Sequence, residues 1–286
     1  MSNIKMIAID LGCTLLTDDN LVTQDNKKAI KYAKEKGIII VLATARMYSS
    51  TKYISNVINA DYGVFGNGMQ IMNLHNKKII FERKIKNELV EKIIDYARTN
   101  KLYIHIESEC EEASEEYDYF AKKHFLLNQN YEENLKTNIK LVADIKKYTK
   151  NKNIIKVVLA SQNNMDKHVN NILKLGEGKI FLNEYSKNIY EEIIGEKYNY
   201  IEFGSTKATK ATGIHYLAIE TKTPKEQIMA IGDLDNDIDL LKTVGYPVVM
   251  QNAKNNVKEY ASYVTKKNNN NSGVAEAIYN MLGEKE

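Results

Sequence analysis

The sequence predicts an α/β protein: a doubly wound parallel sheet with an α+β module inserted into it. Two observations carry this prediction. Short apolar runs alternate with helical stretches in the first third of the chain, and the same alternation returns near the end. Between them, residues 86–199 are richer in Lys, Glu, Asn and Tyr and contain strands and helices of their own. We therefore expect residues 1–85 and 200–286 to form the core and residues 86–199 the inserted module.

The core elements follow from apolar runs and from residues that begin or end helices. Residues 38–43 are all apolar, which is typical of a strand covered on both faces. A helix is predicted over residues 24–36, since Thr23 can cap its start and Gly37 can end it. Further core strands are predicted at residues 4–9, 62–65, 228–231 and 248–250.

The inserted segment predicts two blocks of strand and helix. Its helices are expected at residues 89–99 and 165–175, and its strands at residues 102–107, 154–160 and 180–185. Two connections, near residues 84–87 and 197–199, would join it to the core. The polar run at residues 266–271 predicts a surface loop.

Composition and charge exclude several classes of protein. With 43% hydrophobic and 27% charged residues the chain is not predicted to be disordered, and 40 basic against 37 acidic residues do not indicate a nucleic-acid binder. No apolar run approaches the roughly 18 residues that span a bilayer, so we expect a cytoplasmic protein with no membrane partner. Two cysteines, Cys13 and Cys110, are too few for a disulfide framework. No pattern predicts the oligomeric state.

Polar residues follow three of the predicted core strands. Asp10 comes after the first, Thr44 after the second, and the stretch Gly-Asp-Leu-Asp-Asn-Asp at residues 232–237 after a later one. Ligands of parallel α/β sheets gather at the carboxyl ends of strands, so these positions suit a binding site. Taken alone, Asp10 is more simply a helix-cap or turn residue and Lys210 an ordinary exposed lysine. Thr44 alone carries little information.

The acidic cluster indicates a cation. Residues 233–237 include three carboxylates and one amide, and the carboxylates repel one another unless positive charge is near. Oxygen-only ligands suit Mg²⁺, which accepts one or two carboxylates and meets a substrate phosphate. The sequence therefore predicts a Mg²⁺ site.

In their order along the chain, Asp10, Thr44, Lys210 and residues 232–237 resemble the four motifs of the haloacid dehalogenase superfamily. The resemblance is to the Cof-type phosphatases, whose cap domain is inserted between the second and third motifs. Ala-Thr-Ala-Arg at residues 43–46 resembles the family's Ala-Thr-Gly-Arg, and residues 67–69 resemble its Asn-Gly-Ala. Residues 250–253 and 272–275 also fit.

This resemblance implies a Rossmann-like core, a cap, and a phosphatase of small phosphorylated metabolites such as sugar phosphates. Asp10 would form an aspartyl-phosphate. The residues that the resemblance assigns to Mg²⁺ are Asp10, Gly12 through its carbonyl, and Asp233, with Asp237 nearby. Those assigned to phosphate or substrate are Thr44, Arg46, Asn67, Lys210 and Asn236.

One departure from the family's motifs matters more than the others. Its first motif is Asp-x-Asp-Gly-Thr, and here Gly12 replaces the second aspartate, the general acid and base, while Cys13 replaces the glycine. We expect slower catalysis, and the alternative is a catalytically silent relative that binds a phosphorylated ligand. Asp18, Asp19 and Cys13 lie close in sequence but not at the matching position. A dehalogenase would need no second aspartate, yet the large insertion favours a phosphatase.

The cap is expected to select the substrate. Candidates are polar residues on its predicted strands, namely His105, Glu107, Glu184 and Tyr185. The alternative for each of them is an ordinary solvated surface position.

Overall fold

The core of the protein is an eight-stranded sheet with the first strand near its centre. The computed structural model describes residues 3–116, 139–181 and 199–283. Five neighbouring strand pairs are parallel, whereas β3 and β4 are antiparallel. In sheet order the strands are β14 (Tyr263–Val264), β13 (Tyr246–Val249), β12 (Ile228–Gly232), β1 (Met6–Ile9), β2 (Ile39–Ala43), β3 (Tyr62–Phe65), β4 (Gln70–Asn73) and β5 (Lys78–Glu82).

The predicted parallel strands are confirmed, and β4, β5 and β14 add to them. These three strands have four, five and two residues, too few for a periodic pattern to stand out in the sequence. In the described residues the α-helices are α1 (Gln24–Glu35), α2 (Lys52–Val57), α3 (Asn87–Thr99), α4 (Ile145–Thr149), α5 (Asp166–Leu173), α6 (Lys210–Glu220), α7 (Ile238–Leu241), α8 (Asn255–Lys258) and α9 (Gly273–Leu282).

Helices cover both faces of the large sheet. Alternate residues of a strand pack into two different apolar clusters, one on each face. Ile7 and Ile9 of β1 pack with α1 and α9. Met6 and Ala8 of the same strand pack with α6 and α7. Every residue of β1 is therefore buried, which explains why this strand shows no polar alternation. The doubly wound fold is confirmed.

The start and end of α1 are those predicted from the sequence. The Thr23 side chain accepts a hydrogen bond from the N–H of Asn26, as expected of a helix cap. Gly37 has a φ of +76°, a left-handed conformation that glycine adopts at low cost. The helix itself covers Gln24–Glu35, one residue short of the predicted range.

A second sheet of six strands is formed by residues 103–204, and its strand at Asn199–Gly204 extends past residue 199, the predicted end of the insertion. One of its faces packs on α3 and α5 through a cluster that includes Ile93 and Ile172. The strand predicted at residues 180–185 is described only as far as Phe181, and the rest lies outside the described residues. In sheet order the strands are β10 (Lys179–Phe181), β11 (Asn199–Gly204), β9 (Ile154–Ser161), β6 (Tyr103–Ser108), β7 (Glu111–Ser114) and β8 (Ile139–Leu141).

The chain divides into two compact units. The first consists of Met1–Arg46, Tyr53–Phe81 and Ala208–Glu286, and the second of Met47–Lys52 and Glu82–Lys207. The predicted domain bounds, with residues 86–199 as the insertion, stay a prediction. Among the described residues, no helix combines the length and the apolar character that a membrane crossing requires.

The polar run at residues 266–271 is only partly a surface loop. Asn269 is buried, with 4% of its surface exposed. Its side-chain amide donates to the carbonyl of Leu16 and to the carboxylate of Asp18. A buried amide must find such partners, and this one finds them in the loop that follows β1.

Candidate active site

Asp10 lies at the carboxyl end of β1, near the centre of the large sheet. Its N–H donates to the carbonyl of Ile231 in β12 at 3.0 Å, so strand pairing continues to this residue. The side chain is buried, with 5% exposed. A buried carboxylate requires a compensating group, and the Nζ of Lys210 lies 2.5 Å from its Oδ1.

Lys210 is the first residue of α6 and is buried, with 1% exposed. Besides Asp10, its Nζ contacts the Oδ1 of Asp237 at 2.7 Å. Burial by itself lowers the pKa of Lys210, but the attraction of these two carboxylates outweighs burial and raises the pKa above its ordinary value. The ammonium group is therefore charged, and the interpretation of Lys210 as an ordinary exposed lysine is wrong.

The loop after β12 brings Asp233 and Asp237 together. Oδ2 of Asp237 accepts the N–H groups of Asp233 and Leu234, both at 3.1 Å. Gly232 is needed for this turn, because a Cβ there would lie 2.4 Å from the Cγ of Asp237. The hydroxyl of Thr14 donates to Oδ1 of Asp233 at 2.7 Å. Thr14 is absent from the predicted site residues, although its position four residues after Asp10 was a usable signal.

The carboxylates of Asp10, Asp233 and Asp237 fit a divalent cation. Each offers one oxygen, and these oxygens lie within 4.8 Å of one another. Lys210 balances only one of the three negative charges. Burial and the charge of Asp237 raise the pKa of Asp10 to about 6, against the attraction of Lys210. Burial and the charges of Asp10 and Asp237 raise the pKa of Asp233 to about 8. A cation would remove this repulsion, and an all-oxygen donor set is the type that Mg²⁺ accepts.

Gly12 has backbone angles that any residue can adopt. Its φ is −68° and its ψ is 128°. A Cβ built at this position meets no atom within 4 Å. Cys13, by contrast, has a left-handed backbone with a φ of 55°. Glycine is therefore required neither by the backbone nor by close packing at position 12.

Thr44, Arg46 and Asn67 form a connected group at the ends of β2 and β3. The hydroxyl of Thr44 accepts the N–H of Arg46 at 3.1 Å, and the carbonyl of Thr44 accepts the N–H of Asn67 at 2.9 Å. Because β1 and β2 are paired in parallel, Thr44 and Asp10 follow neighbouring strand ends. The Arg46 guanidinium donates to the Asn20 side chain at 3.2 Å.

Asn236 joins this group to the acidic loop. Its Nδ2 donates to Oδ1 of Asn67 at 3.1 Å. Asn236 is exposed, whereas Asn67 is buried with a left-handed φ of 53°. The structure thus places Asp10, Lys210, Asp233 and Asp237 in direct contact, with Thr44 and Asn67 held beside them by backbone pairing and by this amide.

Asp18 is engaged by the side chains of two asparagines. Its two carboxylate oxygens accept the side-chain amides of Asn269 and Asn270 at 2.9 and 2.8 Å. These hydrogen bonds, that of Asn270 first, lower the pKa of Asp18. A carboxylate stabilised in its ionised form is a poor general acid. Asp19 is exposed, and Cys13 is half-buried.

The second unit has a buried polar face on β6. His105 and Glu107 are 1% and 6% exposed, so the interpretation of these two residues as solvated surface is wrong. Oε1 of Glu107 lies 3.0 Å from the Nζ of Lys156 and 3.5 Å from the Nε2 of His105. Burial raises the pKa of Glu107, but Lys156 and His105 together outweigh burial and hold the pKa below its usual value.

The pKa of a neighbouring carboxylate, that of Glu112, is shifted in the opposite direction. Glu112 of β7 is buried and accepts a hydrogen bond from the Ser49 hydroxyl at 2.5 Å. Burial and the charge of Glu107 raise the pKa of Glu112. The other predicted cap residues, Glu184 and Tyr185, lie outside the described residues.

Known proteins resemble the chain over almost its whole length. A protein of Streptococcus pyogenes serotype M6 that carries a provisional phosphatase name is 28% identical over 284 residues, which cover 96% of this chain and 97% of the relative. The 5-amino-6-(5-phospho-D-ribitylamino)uracil phosphatase YcsE of Bacillus subtilis is 25% identical, with 96% of this chain and 95% of the relative covered.

The fold is also that of solved structures. A haloacid dehalogenase-like hydrolase from Bacteroides thetaiotaomicron superposes with a TM-score of 0.81 at 24% identity, covering 97% of this chain and 99% of that one. The family profile of haloacid dehalogenase-like hydrolases matches residues 7–278, a span that includes the whole acidic site. The chain therefore belongs to the haloacid dehalogenase-like hydrolases.

Proposed function

We propose that the protein is a Mg²⁺-dependent phosphatase of small phosphorylated metabolites such as sugar phosphates, with Asp10 as the nucleophile. The observation that carries this proposal is the buried contact of Asp10 with Lys210, next to two further carboxylates. The phosphatase names of the relatives support the same reaction. A nucleic-acid partner is not proposed, since the net charge is only +3. The cytoplasmic location stays a prediction.

The residues of the chain supply positioning and charge. Asp10, Asp233, Asp237 and the carbonyl of Gly12 would hold Mg²⁺, which when bound would neutralise charge on the phosphoryl oxygens. A carboxylate oxygen of Asp10 would attack phosphorus while the ester P–O bond breaks, and the leaving alkoxide would take a proton from water. Water would then cleave the aspartyl-phosphate and release inorganic phosphate. Lys210 would bind phosphoryl oxygens, since the two carboxylates beside it keep its ammonium group charged.

Gly12 makes two of these steps slow. No carboxylate at position 12 can protonate the leaving alcohol or activate the water, and Asp18 is held by Asn269 and Asn270. Loss of general acid and base assistance costs roughly 10² to 10⁴-fold in rate. Substrates with good leaving groups, such as acyl phosphates, depend least on this assistance.

The glycine at position 12 also favours a second candidate function. If position 12 and Asp18 leave the site without any acid or base, the protein would bind a phosphorylated ligand without turning it over. The acidic site, Lys210 and Thr44 serve binding in either case. The two functions differ only in the fate of the phosphoryl group.

The organic part of the substrate is proposed to be recognised by His105 and Glu107 of the second unit. Among the described residues, no group donates to Oε2 of Glu107, which is buried. A buried acceptor without a donor favours a ligand that brings hydroxyl or amino groups. The ribitylamino substrate in the name of the Bacillus subtilis relative has both kinds of group.

The test uses an acyl phosphate with Mg²⁺, followed by acid quenching and intact-mass measurement. We expect one added phosphoryl group on the unchanged protein, because formation of the adduct needs little protonation while its hydrolysis lacks a base. The Asp10→Asn variant should show none. No adduct on either protein, together with no release of phosphate from a chromogenic ester, would support the binding protein instead.

A further inference from the structure

The loop that follows Asp10 is held from outside by asparagine side chains. Nδ2 of Asn252 donates to the carbonyl of Cys13 at 2.8 Å. Nδ2 of Asn269 donates to the carbonyl of Leu16 at 3.1 Å and to Asp18 at 2.9 Å. Two carbonyls on the C-terminal side of Gly12 thus have fixed donors that come from more than 230 residues away along the chain.

The two asparagines also support each other. The N–H of Asn269 donates to Oδ1 of Asn252 at 3.2 Å. The turn that carries Asn269 is itself closed by Asn268, whose side-chain oxygen accepts the N–H of Asn271 at 3.0 Å. The polar run is therefore a folded turn that presents one buried amide to the loop after β1.

Gly12 creates the need for such an external support. Glycine has more backbone freedom than any other residue, so a loop with Gly12 loses more entropy on ordering than one with a side chain there. The proposed Mg²⁺ site uses the carbonyl of this residue. A mobile position 12 would weaken the metal site unless neighbouring backbone groups were held.

We propose that Asn252 and Asn269 are positioning residues that hold the loop of residues 11–16 so that the carbonyl of Gly12 faces the metal site. This inference rests on the proposed function, because Mg²⁺ is the ligand whose affinity reports the position of the loop. Neither asparagine touches the metal or the substrate in this proposal. Each acts through the carbonyl that it binds, at Cys13 or at Leu16.

The test compares Asn252→Ala and Asn269→Ala with the control Asn271→Ala. Asn271 is exposed and lies in the same turn, and within the described part of the chain its side chain bonds only to Asn268. Amide hydrogen exchange of metal-free protein is measured on peptides that cover residues 10–17, and Mg²⁺ affinity is measured by calorimetry. We expect faster exchange and a dissociation constant raised roughly threefold to tenfold in both variants, because each loses its hydrogen bond to a loop carbonyl, and no change in the control.

The same asparagine variants made together with Gly12→Ala separate an effect on the position of the loop from an effect on overall stability. Gly12→Ala restricts residue 12, and the added Cβ meets no atom within 4 Å. In this background Asn252→Ala should cost less Mg²⁺ affinity than it does alone. The proposal would be overturned if Asn252→Ala cost as much Mg²⁺ affinity with Gly12→Ala as without it, or if Asn252→Ala alone left hydrogen exchange or Mg²⁺ affinity unchanged.

Because Asn252 is exposed, its variant is expected to fold even if Asn269→Ala does not. An unchanged protein that binds no Mg²⁺ would refute the proposed function, while hydrogen exchange would still decide whether the asparagines hold the loop.

Discussion

Position 12 holds glycine where the motif that the sequence resembles has an aspartate. The surroundings of Gly12 leave room for a side chain, and its backbone angles suit any residue. We therefore expect the effect of glycine at this position to be chemical and not steric. Asp18, the acidic residue nearest to it along the chain after Asp10, is occupied by two amides.

Restoring aspartate at position 12 should raise turnover. For Gly12→Asp we expect the kcat for an alkyl phosphate ester to rise roughly 10² to 10⁴-fold, about 3 to 5 kcal/mol of barrier. Steady-state release of phosphate measures this. Gly12→Asn is the matched control, since it has the same shape without an acid. An equal gain from asparagine would mean that loop rigidity, and not acid-base catalysis, limits the rate.

Asp233 should make the metal-free protein less stable as the pH rises. Its folded pKa of about 8 lies above the ordinary 3.8, so folding favours the protonated form. The contribution to stability is therefore complete below about pH 4 and is lost as the pH rises through about 8. Urea unfolding with a chelator should show the free energy of unfolding of the unchanged protein falling over this range relative to Asp233→Asn. A difference that is constant with pH would contradict the raised pKa.

The same carboxylate should bind Mg²⁺ only when it is ionised. Asp233→Ala should abolish Mg²⁺ binding in calorimetry, because it removes one of the three clustered carboxylates. In the unchanged protein the affinity should rise with pH between about 6 and about 8, where the pKa values of Asp10 and Asp233 lie. Full binding by Asp233→Ala would place the metal elsewhere.

At the level of elements, the position of α6 determines how deeply the side chain of Lys210 is buried. The helix approaches β3 closely at Gly213, where a Cβ would lie 2.3 Å from the Cγ1 of Val64. The chain also passes tightly at Gly68, where a Cβ would lie 2.2 Å from the carbonyl oxygen of Thr209. Such contacts leave no space for any side chain other than hydrogen.

Gly213→Ala should destabilise the protein in spite of its better helix propensity. Alanine inside a helix gains roughly 0.5 to 1 kcal/mol over glycine, but overpacking a core costs about 1 to 3 kcal/mol. We expect a net loss of unfolding free energy in urea, and weaker Mg²⁺ binding because the helix that carries Lys210 must shift. His215→Ala, at an exposed position of α6, should change stability by less than about 0.5 kcal/mol. A more stable Gly213→Ala would show that α6 can move freely.

For the whole molecule, the two compact units have separate apolar clusters. We therefore expect two transitions in calorimetric unfolding. All three clustered carboxylates belong to the first unit, so Mg²⁺ should raise the transition of that unit alone. At a concentration of 100 times the dissociation constant the stabilisation is about 2.7 kcal/mol, or roughly 5 to 10 °C. A single transition that shifts as one would mean that the units unfold together.

The sequence by itself determined the doubly wound core and the strand ends that carry Asp10, Thr44 and Asp233. Apolar runs without polar alternation indicate strands covered on both faces, and parallel strands bring their carboxyl ends to one edge. These rules depend on local pattern, and the structure agrees with them for β1, β2 and β12. The short strands β4 and β5 have no such pattern.

Only the tertiary structure decided which groups meet. Lys210 is joined to Asp10 across 200 residues, and Asn269 is joined to Asp18 across 251. The burial of His105 and Glu107 likewise depends on what packs over their strand and not on their neighbours in sequence. Such contacts arise when elements that are distant in sequence pack together. A local pattern of residue types predicts helices and strands, but it does not tell which distant segments will meet.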